Sequence, residues 1–298
     1  MNTRDRLLAV VVAVVWGLNF LAIRTGLDHF PPFFFAGLRF LVIAVPVVLL
    51  VPRPDVPWRW LLLYGTGFGT AQFAFLFLAL DQGMPTGLAS LVLQASAPFT
   101  VVLGAVLLRE HVARRQVLGI ALSVVGMAVI AYDRALMASV LPVLLTLLAA
   151  LGWAFGNLGN RLARPERPLR LTLWMTVVPP VPLLLLSAVV EGPTVGWVAT
   201  GRAFSGEGWP GLVGLAYIVL IGTIAGSGIW TALHTRHPAG VVAPFSLLVP
   251  VVGIAAAWLA LGERPTAVSV AGGVVVVAGV LLGLPGRPAP APAVPVAA

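Results

Sequence analysis

Residues 85–110 read PTGLASLVLQASAPFTVVLGAVLLRE, and residues 238–263 read PAGVVAPFSLLVPVVGIAAAWLALGE. Each stretch opens on a proline (Pro85, Pro238), carries another near its middle (Pro98, Pro250) and closes on a glutamate (Glu110, Glu263). Between those marks each stays apolar for about 20 residues, the length that crosses a hydrocarbon core as a helix. The shift of 153 positions that takes Pro85 to Pro238 and Glu110 to Glu263 also takes Gly119 to Gly272 and Gly126 to Gly279. Nearer the start of each half the shift is 137, taking Trp16 to Trp153 and Arg24 to Arg161. A polar insertion around 191–208 absorbs most of the difference. The chain is read as a duplicated unit.

Working outward, apolar runs of spanning length lie near 7–27, 32–52, 59–80, 85–108 and 115–132, then near 141–161, 170–190, 209–231, 238–261 and 266–284. Five spans is an odd number, so the second unit must enter the bilayer from the opposite side. The expected fold class is an all-α membrane protein with ten transmembrane helices in two inverted five-helix repeats. The first repeat occupies 1–134 and the second 135–284, and a Pro/Ala-rich disordered tail follows at 285–298. Repeats of this kind place a transport site near the bilayer midplane, at the repeat interface.

Composition agrees. Of 298 residues, 59% are hydrophobic and 9% charged, against about 25% charged in a soluble protein, so no water-facing surface can be built. None of the runs alternates with period two, so a β-barrel is not supported. The first is too long for a signal peptide and no A-x-A site follows it. Cysteine is absent and all 18 basic residues are arginine, which excludes disulfides, thiolate metal sites, a P-loop lysine and a Schiff-base lysine. The net charge of +8 does not indicate nucleic acid, because the arginines sit in gaps between apolar runs. With the amino terminus inside, cytoplasmic segments hold 13 arginines and outer loops hold 3, namely Arg134, Arg202 and Arg264. The positive-inside rule therefore predicts that both termini are cytoplasmic, in a multi-pass protein of the inner (plasma) membrane.

The stretches VVWGLNF (14–20), GLRF (37–40), AQFAFLF (71–77), GMPTGLASLVLQASAPFT (83–100), SLLVPVVG (246–253) and GERPT (262–266) resemble the EamA family of the drug/metabolite transporter superfamily. The likeness runs from Arg4 to about Leu284, and within the family it is greatest to exporters of O-acetylserine and cysteine. It implies ten helices, both termini inside, and efflux of small amino-acid metabolites. The chain departs from the pattern in the 191–208 insertion and in the tail.

A Pro-interrupted helix pair in corresponding positions of two halves is the best pointer to a transport site, and the fourth and ninth runs fit. A mid-helix proline removes a backbone donor and frees a carbonyl, which could meet a substrate ammonium. Ser90, Gln94 and Pro98 share a helix face, as do Ser246 and Pro250. Ordinary helix packing is the competing reading. In the first and sixth runs Trp16 pairs with Asn19 and Trp153 with Asn157 at helical spacing. Both tryptophans lie too deep for interfacial anchors, so they are read as cavity walls. The asparagines are read either as polar contacts or as interhelical hydrogen bonds worth ~0.6–2 kcal/mol. Gln72 on the third run is a further candidate. The expected walls are helices one, three, four, six, eight and nine.

Arg39 lies ~10 Å inside the outer end of the second run, at 1.5 Å per residue. It is read as a structural charge paired with Asp28 or Glu263 or snorkelling outward, or else as the partner of a substrate carboxylate. No Asp or Glu falls in the middle of a span, which disfavours a central carboxylate relay and a pocket for lipophilic cations. Phosphorylated solutes would need several buried cations. The expected partner is a small zwitterionic or neutral solute, with no cofactor and no metal. His234 and His237 are read as loop histidines. The G-x-x-x-G spacings at Gly152/Gly156, Gly222/Gly226 and Gly279/Gly283 suit helix packing, the last also a homodimer; the chain is expected as a monomer or homodimer. Neither H-E-x-x-H nor G-x-S-x-G occurs, so an enzyme is not expected.

Overall fold

A computed structural model describes residues 1–137, 139–206, 208–237 and 242–283. Pro238 and the 285–298 tail lie outside the described residues. Within them the chain is helical and contains no strand. Eight helices are long and apolar enough to cross a membrane: α1 (Thr3–Leu27), α2 (Pro32–Leu50), α3 (Trp58–Asp81), α4 (Thr86–Leu108), α5 (Arg114–Met137), α6 (Leu141–Ala163), α7 (Pro168–Val190) and α8 (Trp209–Arg236). Two shorter apolar helices follow, α9 (Phe245–Leu261) and α10 (Ala267–Gly283). A further short helix, Val195–Phe204, occupies the polar insertion. The chain is a multi-pass membrane protein.

Helix starts are secured by polar side chains, several from far along the chain. Asn2 accepts the Asp5 N–H at 2.8 Å to cap α1. Pro32 opens α2, and the Glu191 carboxylate accepts the next two N–H groups, Phe33 at 2.7 Å and Phe34 at 3.0 Å. Glu263 accepts from Gly87 N–H at 3.2 Å at the head of α4. Free N–H groups and the positive end of the helix dipole draw carboxylates to such places. Two glutamates of the second half thus cap two helices of the first.

Four segments depart from α-helical winding, and they correspond between the halves. Gly65–Ala71 of α3 and Tyr217–Gly226 of α8 are π-helical, while Leu93–Ala95 of α4 and Ala243–Leu247 leading into α9 are 3₁₀. The 3₁₀ turns follow from Pro98 and Pro250, whose missing N–H groups would have served Gln94 and Ser246.

Small residues bring the helices together. On α5 and α10, a Cβ built on Gly119 would lie 2.5 Å from the Gly279 carbonyl oxygen, and one on Gly126 would lie 2.6 Å from that of Gly272. The order reverses along the pair, so the two helices run antiparallel. Gly152 and Gly156 of α6 close on Gly67 and Phe68 of α3, and Gly222 and Gly226 of α8 on Asn19 and Trp16 of α1. In the third small-residue pair, a Cβ on Gly279 would meet Ser123 and Gly119 of α5, whereas one on Gly283 would meet nothing within 4 Å. Overpacking costs ~1–3 kcal/mol, so Gly126→Leu should lower the melting midpoint of the detergent-solubilised protein by several degrees. Gly201→Ala, with nothing within 4 Å of the added Cβ, should not. An unchanged midpoint for Gly126→Leu would show that α5 and α10 do not approach this closely.

Candidate functional site

A cavity of about 540 Å³ lies among the helices. Nine of the eleven residues singled out from sequence line it: Trp16 and Asn19 of α1, Arg39 of α2, Gln72 of α3, Ser90 and Gln94 of α4, Trp153 and Asn157 of α6, and Ser246 of α9. Pro98 and Pro250 are not among the lining residues. Their part is played through the backbone: the carbonyl that Pro250 leaves without its helical donor, Ser246 O, lies 3.5 Å from Gln94 Nε2. The carbonyl read as available to a ligand is thus already approached by an amide.

The aromatic walls correspond between the halves. Trp16 donates from Nε1 to Gly222 O at 3.0 Å and leans on Trp230 of α8, centroids 5.1 Å apart. Trp153 meets Phe68 of α3 edge-on at 5.7 Å. The asparagines part company. Asn157 Nδ2 donates to Thr100 Oγ1 of α4 at 3.1 Å, making the interhelical bond, whereas the Asn19 Oδ1 is buried without a partner. Gln72 is likewise buried with Oε1 unpartnered. Ser90 gives its hydroxyl proton to Gly87 O at 2.6 Å, within its own helix.

Arg39 corrects an expectation. Its residue surface is 4% exposed, so it does not snorkel, and it pairs with neither Asp28 nor Glu263. Asp28 is held by Arg24 one helical turn away at 3.3 Å, and Glu263 is spent on the head of α4. The guanidinium lies instead over the rings of Phe73 and Phe40, 4.0 and 4.9 Å from their centroids, a cation–π arrangement. Nη2 donates to Thr223 Oγ1 at 2.8 Å, and that hydroxyl donates to Ile218 O at 2.8 Å. Nε and Nη1 have no partner. Among the described residues no carboxylate lines the cavity.

Helix α8 was an expected wall, but its lining side chains were not foreseen, nor were the contributions of α2 beyond Arg39 and of α7. Thr223, Ser227, Thr231 and Thr235 line the cavity at strict four-residue spacing, a stripe that drew no attention in the sequence, where threonine and serine commonly bond their own helix. Asn160 of α6 and Thr172 of α7 join them. His237 is not a bare loop histidine: its Nε2 stands 2.7 Å from Asp5, joining the ends of α1 and α8. The His234 side chain lies outside the described residues.

Residues 6–132 and 140–284 each match the EamA-like transporter family. The chain belongs to that family. It is 43% identical to a protein of Salmonella typhimurium named "Probable amino-acid metabolite efflux pump" and 41% identical to one of the same name from Escherichia coli K12, covering 95% of each chain in both cases. An uncharacterized transporter of Archaeoglobus fulgidus is 25% identical over 95% of this chain and 98% of its own. A crystal structure superposes with a TM-score of 0.60 at 19% identity, covering 95% of this chain and 96% of the other, a likeness of fold alone. The match breaks between residues 132 and 140. The EamA chain is a transporter, and Gln94→Ala should leave it folded and membrane-inserted with transport reduced several-fold. Full transport by that variant would remove Gln94 from the site.

Proposed function

We propose that this EamA protein exports small amino acids and their metabolites, of the O-acetylserine and cysteine kind, by alternating access through ten membrane spans with both termini cytoplasmic. The observation that carries the reading is the cavity's polar inventory. It holds one guanidinium, five carboxamides and several hydroxyls, with no carboxylate among the described residues. Such a lining suits a solute of zero net charge carrying both donors and acceptors. The names of the two most similar bacterial relatives cited above support the amino-acid class, and the sulfur-containing and acetylated solutes rest on family resemblance.

Inversion of the halves is supported by the α5/α10 contact. Gly119 meets Gly279 and Gly126 meets Gly272, and under the 153-residue shift each pair is the image of the other. A two-fold axis lying in the membrane plane generates such reciprocal contacts between antiparallel helices. The units are 1–134 and 135–284.

Access follows from which ends touch. The early part of α4 packs on the later part of α9: a Cβ on Gly87 would meet Ile254 Cα at 2.9 Å, and one on Gly253 would meet Ser90 Oγ at 2.7 Å. Both lie toward the predicted outer face. The cavity instead extends past Asn160, Thr172 and Thr235 toward the predicted cytoplasmic face. The arrangement is inward-facing. At that open end Arg161 donates from Nη1 to Glu110 Oε2 at 3.0 Å, tying α4 to α6. The image pair, Arg24 and Glu263, is not made here. Arg24 holds Asp28, and Glu263 caps α4. Exchange of the two halves' conformations releases Glu110 from Arg161 and brings Glu263 to Arg24, opening the outer side.

Two measurements test this. In proteoliposomes loaded with unlabelled cysteine, O-acetylserine or neutral amino acids, labelled solute should enter by saturable counterflow. Entry driven only by lipophilic cations, or non-saturable flux, would reject the reading. The chain has no native cysteine, so a single Thr235→Cys reports cytoplasmic access. Exposed ion pairs are worth up to ~1 kcal/mol, so Arg161→Gln should slow labelling about two- to five-fold and Arg24→Gln should quicken it. Shifts of the same sign in both variants would reject the exchange of pairs.

A further inference from the structure

Five buried side-chain atoms lack a hydrogen-bond partner among the described residues: Asn19 Oδ1, Arg39 Nε, Arg39 Nη1, Gln72 Oε1 and Thr86 Oγ1. All but the last belong to residues that line the one cavity of about 540 Å³. Buried polar groups are ordinarily satisfied, and each one that is not calls for an explanation. Here the unsatisfied set has a chemical pattern. Arg39 has positive charge and donors to spare, and Asn19 and Gln72 have acceptors to spare. From the exporter reading above, on which this step rests, we infer that these three side chains form a zwitterion clamp. Arg39 receives the α-carboxylate of an amino acid, and Asn19 Oδ1 and Gln72 Oε1 receive its α-ammonium.

The surroundings hold each part in place. The guanidinium is pinned over Phe73 and Phe40 and tied by Nη2 to Thr223, and its Nε and Nη1 are enclosed without a partner. No described residue supplies a countercharge, and an uncompensated buried arginine is costly. A carboxylate bound there makes charge-assisted hydrogen bonds, the strong kind. For the ammonium, the carboxamide oxygens are pure acceptors, and the indoles of Trp16 and Trp230 line the same cavity. Selection follows. A simple amine leaves Arg39 uncompensated and is repelled by it, a carboxylic acid without the amine leaves two buried acceptors unmet, and a methyl ester removes the charge that Arg39 needs. A dianion finds no second cation in the described lining. The side chain of the amino acid is left to the aromatic and hydroxyl walls, so the clamp reads the α-carbon's substituents rather than the identity of the residue.

The test is binding by the purified full-length protein in detergent, read as ligand-induced thermal stabilisation, with cysteine, O-acetylserine and serine as probes. Each is compared with its methyl ester and with the amine lacking the carboxylate. A site built around a hydrogen-bonded group rejects the analogue that lacks it, here by roughly tenfold or more in apparent affinity. Wild-type protein that binds ester or amine as well as acid overturns the clamp without recourse to a variant, and so does protein that binds none of them. Arg39→Gln should abolish the preference for acid over ester. Should Arg39→Gln not fold, Thr223→Val, which frees the guanidinium while keeping it, should narrow that preference; an unchanged preference in whichever of the two folds overturns the assignment to Arg39. Gln72→Leu should likewise lose the preference for the amino acid over the corresponding carboxylic acid without the amine. Counterflow separates the two failures. Amino acids that bind with the stated preference but do not exchange refute the exporter reading alone. Amino acids that exchange with no preference over their esters refute the clamp alone.

Discussion

A helix in hydrocarbon has to satisfy its own backbone, because no water is there to do it. Irregular winding at membrane depth therefore survives only against protein or a cavity. This constraint organises the molecule. The π-helical segments of α3 and α8 and the 3₁₀ turns of α4 and α9 gather around one space, and Phe68, Gln94, Thr223 and Ser246, which lie within them, line it. Proline is the direct cause in α4 and α9. In α3 and α8 glycine is abundant, at Gly65, Gly67 and Gly69 and at Gly222 and Gly226, where the backbone has fewest steric restraints. Winding errors that would be costly facing lipid here turn backbone and polar side chains toward one another.

The same glycines set how closely the helices approach. Without water between helices, association depends on packing, and small residues permit backbone-to-backbone contact at Gly67 with Gly156 and at Gly126 with Gly272. The cavity persists where this close packing stops. Large aromatic side chains then take over as walls, Trp16 against Trp230 and Trp153 against Phe68.

Much of this was legible in the residues. Hydropathy marked the ten apolar helices but not the short helix Val195–Phe204 in the polar insertion. Gln94, Asn19, Gln72 and Asn157 could be found because a carboxamide inside an apolar run is conspicuous. The α8 stripe at Thr223, Ser227, Thr231 and Thr235 shared that spacing but not that conspicuousness, since a hydroxyl can satisfy itself on the preceding turn, as Thr223 does on Ile218 O at 2.8 Å. Arg39 was visible, but its company was not. Phe73 and Thr223 reach it from α3 and α8, and no local pattern encodes a contact 184 positions away. Asp28 and Glu263 were the nearest acids by predicted depth, yet each is claimed by a closer demand, a helical neighbour in one case and free backbone donors in the other.

The charge arrangement bears on how such a carrier moves. With a zwitterion in the proposed clamp, the substrate's own ammonium offsets its carboxylate, and the loaded cavity keeps the single charge of Arg39 while satisfying the donors and acceptors that stand unmet when it is empty. The empty cavity must hold the guanidinium on two phenyl faces and one hydroxyl, a weaker environment than a carboxylate. In the proposed alternating access, closing one side and opening the other desolvates the cavity in passing, and the cost falls hardest on whatever is unpaired. The loaded protein therefore crosses that barrier with fewer unmet polar groups than the empty one. Coupling between occupancy and motion then needs no titrating carboxylate in the middle of a span, because the substrate itself brings the missing partners.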